Sequence, residues 1–83
     1  MARLIKSSGE ILPNVCIDTL KDMQDLVGGY IEFVYTLEDS VLVVNEEGLI
    51  NKLPLNVGVS LLTGHKIVGD VIQIPIDEFN KIK

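Results

Sequence analysis

Three asparagines, Asn45, Asn51 and Asn56, lie within one twelve-residue stretch, and each carries a hydrogen-bond donor and an acceptor on the same amide. Such side chains either close local turns and caps or line the rim of a polar pocket, with Lys52 as a single cation among them. Tyr30 and Tyr35 are the two tyrosines; each offers an apolar ring with a polar tip, suited to core packing, to an interface or to stacking on a planar ligand. Acids follow close by. Glu32, Glu38, Asp39, Glu46 and Glu47 make five acids in sixteen residues without one base, either a solvated face or a surface for a basic partner. Among these, Glu38 and Asp39 join the tyrosines as candidate interface residues.

Catalytic constellations are harder to assemble. Cys16 is the only cysteine and His65 the only histidine, so neither an intrachain disulfide nor a zinc cluster can form within one chain. Within the apolar run Val15-Cys16-Ile17, the thiol reads as a small buried hydrophobe. His65 follows Gly64 and reads as a solvated loop residue. Glu46 and Glu47 are adjacent, a poor arrangement for sharing a proton or clamping a metal. Gly28-Gly29-Tyr30 comes after a helix and before a strand, opposite to the strand-to-helix order that aims backbone amides at phosphate. The expectation is a protein that is not an enzyme and needs no metal or cofactor.

Twelve Asp and Glu against seven Lys and Arg give a net charge of −5, with the bases scattered singly. Nucleic acid demands clustered bases, so direct binding to it is not expected. A highly charged anion would likewise require Arg3, Lys52 and Lys66 to converge from several subunits. No apolar stretch approaches the roughly 20 residues of a membrane helix. Met1 to Lys6 also lacks the apolar core, about 7–15 residues long, of a signal peptide. The expectation is therefore a cytoplasmic protein that does not enter a membrane.

The elements that must position these groups fit one domain over residues 1–83, with 75–83 as a frayed turn or tail. Arg3 to Ser7 and Ile11 to Ile17 read as a hairpin whose second strand, holding Pro13, belongs at an edge. A helix capped at Asp18 or Thr19 carries Leu20, Met23, Leu26 and Val27 on one stripe and ends at Gly28-Gly29. Lys21, Asp22, Gln24 and Asp25 should face water. Tyr30 to Thr36 alternates as a strand, and after a turn at Leu37 to Ser40 the run Val41 to Val44 suits a strand buried on both faces. Asn56 can cap a short helix, Val57 to Thr63, stopped by Gly64. Lys66 to Ile74 is the last strand. The class is α+β: a small, mostly antiparallel or mixed sheet of about five strands, covered on one face by one main helix, plus one short helix. The main helix's stripe is expected to pack on Ile31, Phe33, Val41, Val43 and Val71. So small a core is often reinforced by association, which points to a homodimer or larger homo-oligomer.

Four ordered blocks, Leu26-Val27-Gly28-Gly29-Tyr30-Ile31-Glu32, Val43-Val44-Asn45-Glu46-Glu47-Gly48-Leu49, Leu53-Pro54-Leu55-Asn56 and Ile67-Val68-Gly69-Asp70-Val71, together resemble the DUF3846 family. The resemblance implies a small protein of the kind met in bacteria, phages and mobile elements, and by analogy host manipulation or counter-defence through binding. Members often carry a basic, alanine-rich turn where this chain has Val57-Gly58-Val59-Ser60, a departure that weighs against anion binding there. Two functions remain in view. One is a binding module that sequesters a small polar, nucleotide-like molecule beside Asn45, Asn51, Lys52 and Asn56. The other is an interaction or mimicry protein whose acidic face meets a basic host protein.

Overall fold

The computed structural model describes residues 2–35 and 39–82. Strands β1 (Ala2–Ile5) and β2 (Ile11–Val15) form the opening hairpin; helix α1 (Leu20–Val27) follows, then β3 (Ile31–Tyr35) and β4 (Ser40–Asn45). Helix α2 (Val57–Thr63), strand β5 (Val71–Pro75) and helix α3 (Ile76–Ile82) complete the chain. The five strands form one antiparallel sheet in the order β2-β1-β5-β4-β3. This is the α+β class, with β5 inserted between the two hairpins.

Sequence chemistry accounts for the boundaries. Pro13 has no N–H to give a ladder, and β2 is an edge strand whose register slips beside it, with Asn14 in the left-handed region at φ 58°. Thr19 caps α1: its hydroxyl accepts from the Asp22 N–H at 3.2 Å, while the Asp22 carboxylate accepts from the Thr19 N–H at 3.1 Å. Gly28 ends that helix at φ 84°, a conformation that strains any residue bearing a Cβ. Asp22 also accepts the Asp18 N–H, and these backbone donors hold its carboxyl below the ordinary value of 3.8.

Alternation along the strands divides the core. Ala2, Leu4, Val41, Val43, Ile72 and Ile74 point to one face, where Met23 and Val27 of α1 and Phe79 of α3 cover them. Ile5, Leu42, Val44 and Val71 point to the other, under Val59 of α2.

Several sequence expectations change. The segment expected to fray after Pro75 is helix α3, fastened where the Ile76 N–H donates to the Asp39 carbonyl at 2.9 Å and by a fully buried Phe79. One face therefore carries two helices and the opposite face carries the short one. Val71 lies under α2, because the register pairs Val43 with Ile72 and Val41 with Ile74 and so gives α1's face the isoleucines. In α1, Met23 and Val27 are buried and Leu26 is half-buried, but Leu20 is 47% exposed. Leu20 sits on the terminal turn, about 60° round the helix from Met23. Cys16 is exposed; in period two, its neighbours Val15 and Ile17 take the inward positions. His65 is exposed, as its loop position suggests.

The last strand is shorter than Lys66 to Ile74. Gly69, at φ 79°, turns the chain, and the Asp70 carboxylate accepts the Ser7 N–H at 3.0 Å, so regular pairing begins only at Val71.

Candidate functional site

Asn45 is the last residue of β4, and its cross-strand partner is Ile31, the first of β3. That register brings the exit of β4 beside the chain leaving α1, where the Glu46 N–H donates to the Tyr30 carbonyl at 2.9 Å. Asn45 is buried and joins the two segments. Its Nδ2 donates to the Val27 carbonyl at 3.1 Å and its Oδ1 accepts from the Glu47 N–H at 2.8 Å. A Cβ on Gly29 would stand 3.3 Å from the Asn45 Nδ2, so a side chain there would crowd this junction. From Asn45 the chain turns tightly, with the Gly48 N–H on the Asn45 carbonyl and the Asn51 N–H on the Glu47 carbonyl. Gly48 is packed so closely that a Cβ would meet the Val68 Cγ2 at 2.6 Å.

Between the last turn of α1 and this loop lies an open cleft of about 480 Å³. Its lining is Gln24, Asp25, Gly28, Gly29, Tyr30, Asn45, Glu47 and Asn51. Tyr30 is 67% exposed, leaving much of its surface uncovered. The groups around it are two carboxylates and three amides, and among the described residues no Lys, Arg or His contributes to the wall. Carboxylates accept, amides both donate and accept, and an aromatic ring stacks. This chemistry suits a planar molecule with N–H or O–H groups at its edge. It disfavours phosphate, because Glu47 and Asp25, the latter paired with Lys21 at 3.4 Å, offer charge of the same sign.

Of the residues singled out from sequence, Asn45, Asn51 and Tyr30 meet in the cleft. Asn56 stands apart, fully committed to structure. Its Nδ2 donates to the carbonyls of Ile5 and Gly69 at 2.9 and 3.0 Å, and its Oδ1 accepts from the Val59 N–H at 3.2 Å as the cap of α2. Lys52 is exposed in the left-handed region at φ 56° and does not line the cleft. Arg3 is on β1, its Nε donating to the Gln73 Oε1 at 2.6 Å, and Lys66 is exposed beyond α2. Tyr35 lies at the far end of β3 with its ring edge-on to Phe79, centroids 6.4 Å apart. Asp39 is an exposed turn residue in the left-handed region; Glu38 lies outside the described residues.

Gln24 and Asp25 were not legible as part of this wall. On a helix read alone they face water, and only the docking of the β4 exit turns that side of α1 into a cleft. Glu47 stood out as a turn acid, and the Asn45 Oδ1 hydrogen bond to its N–H is what fixes its position. No group of three or more His, Cys, Asp or Glu is placed to hold a metal ion among the described residues. Nor does any described helix have the length and apolarity to cross a membrane.

Fold and cleft together define a small α+β domain with an open antiparallel sheet and a polar groove where a helix meets a strand exit. Residues 1–81 match the family model DUF3846, a domain of unknown function, and the chain belongs to that family. No curated protein and no solved structure matches it.

Proposed function

We propose that the protein is a non-catalytic binding module that sequesters a small polar molecule in the cleft between α1 and the loop from Asn45 to Asn51. The lining carries this reading: an exposed aromatic ring beside two carboxylates and three amides. Stacking on Tyr30 with edge hydrogen bonds to Asp25, Glu47 and Asn51 describes a nucleobase-like ligand, and the wall's charge favours a nucleoside over its polyphosphate. The exposed thiol of Cys16 and the absence of a second cysteine suit the reducing cytoplasm, in the phage or mobile-element setting that the family resemblance implies.

Native mass spectrometry of protein expressed in bacteria, with thermal shifts across bases, nucleosides and nucleotides, tests this. The expected result is a co-purifying small mass or a rise in Tm with a nucleoside that shrinks as phosphates are added. Ligand at about 100 times Kd adds roughly 2.7 kcal/mol, and Tyr30→Ala should abolish the shift. A clean apo mass with no shift across the panel sinks the proposal. Capture of a basic protein at low salt, lost at high salt, would favour the acidic-face reading in its place.

A further inference from the structure

Glu46 and Glu47 are neighbours in sequence, yet the fold gives them different surroundings. Glu46 is exposed, and its N–H completes a ladder step to the Tyr30 carbonyl at 2.9 Å. Glu47 is half-buried in the cleft wall. Its backbone is fastened on both sides: the N–H donates to the Oδ1 of the buried Asn45 at 2.8 Å, and the carbonyl accepts the Asn51 N–H at 2.9 Å. Among the described residues its carboxylate has no hydrogen bond or ion pair. Asp25, the other acid of the wall, is exposed and lies 3.4 Å from the Lys21 Nζ. Glu47 is therefore the partly desolvated, unpaired charge of the cleft, and the ladder step from Glu46 to Tyr30 keeps it close to the aromatic ring.

We infer, taking the cleft as the nucleobase site proposed above, that Glu47 is the residue that selects guanine. An ionised carboxylate only accepts, through two oxygens side by side, whereas an amide side chain offers one acceptor and one donor. Among the common bases, guanine sets two donors next to each other at its pairing edge, N1–H and the N2 amine, and these match the two oxygens. Adenine and cytosine place a ring-nitrogen lone pair beside their amine, and uracil and thymine flank a single N–H with two carbonyls. Each of these would turn a lone pair toward the carboxylate, and in a partly dry wall water does not relieve that conflict. The O6 acceptor of guanine can take an amide donor from Gln24 or Asn51, which also line the cleft. At about 480 Å³ the cleft falls within the usual range of small-molecule sites, roughly 300–1,000 Å³.

Titration calorimetry of the full chain with guanosine, inosine, adenosine and methylguanidine tests this. Inosine is guanosine without the N2 amine. Guanosine is expected to bind, with inosine and adenosine each at least about tenfold weaker, the worth of one hydrogen bond to a charged group. Glu47→Gln, with an unchanged circular dichroism spectrum, should bind guanosine at least about tenfold more weakly and lose the preference over inosine. Glu46→Gln, the same change of charge one residue away, should bind like the wild type. Guanosine bound no more tightly than inosine or adenosine overturns the inference and leaves the nucleobase reading in place, as does an equal loss in the two variants. The guanosine and inosine comparison uses the wild-type chain, so it decides the matter even where Glu47→Gln does not fold. Binding of methylguanidine without guanosine, or of no nucleoside at all, overturns both this inference and the nucleobase reading.

Discussion

Helices α1 and α2 begin and end by the same devices yet present opposite surfaces. Each has a polar N-cap, Thr19 or Asn56, and each stops at a left-handed glycine, Gly28 or Gly64. Helix α1 then buries Met23 and Val27 and exposes Lys21 and Asp25, which lie 3.4 Å apart as an ion pair four residues apart on the helix surface. Helix α2 buries one valine and exposes three large apolar residues. The difference teaches that capping fixes where a helix lies in the chain, whereas the outward arc records what surrounds it. The face under α1 and α3 is closed by two helices; the face bearing α2 leaves an apolar outer surface exposed.

The sharpest way to break this comparison is to remove the anchor of the completed face. Phe79 is fully buried and meets Phe33 edge-on, ring centroids 4.8 Å apart. Phe79→Ala should cost about 3–5 kcal/mol in chemical denaturation, most of the stability available to so small a domain. In contrast, Leu61→Ala should change the stability of the monomer by less than about 0.5 kcal/mol. Similar losses for the two would show that α3 does not close the core.

A smaller effect is expected at the cap of α2. Removing the Asn56 amide withdraws the cap and leaves the buried Ile5 and Gly69 carbonyls short of a donor, so Asn56→Ala should cost about 2–3 kcal/mol. A loss no greater than that of an exposed cap, below about 1 kcal/mol, would mean that Asn56 does not tie α2 to the sheet. Denaturation midpoints measured against wild type decide this.

The smallest effect concerns the cap of α1 and depends on pH. The Asp18 and Thr19 N–H groups hold the Asp22 carboxyl below its ordinary value of 3.8 in the folded chain. A lowered folded value means that the unfolded chain takes up the proton first on acidification. The contribution is therefore fully present above 3.8 and is lost as pH falls through the lower folded value. The Tm gap between wild type and Asp22→Ala should be widest near neutrality and should close in acid. A gap that is constant with pH would remove the charge from the explanation.

The amino-acid sequence by itself determined what depends on near neighbours. Thr19, Asp22 and Gly28 delimit α1, Asn56 and Gly64 delimit α2, Pro13 assigns β2 to an edge, and the unbroken apolar run Val41 to Val44 assigns β4 to the interior; each works within one turn or one strand. Tertiary structure alone decided what depends on partners distant in the chain. Phe79 becomes core only because β5 delivers α3 beside Phe33. Val71 takes the face opposite the one expected because an antiparallel register is set across strands. Asn45 and Asn56, alike in sequence, diverge because one lies at a strand exit beside Gly29 and the other beneath two buried carbonyls. In each case the same local chemistry takes its role from long-range docking, and neither residue spacing nor side-chain type encodes that arrangement.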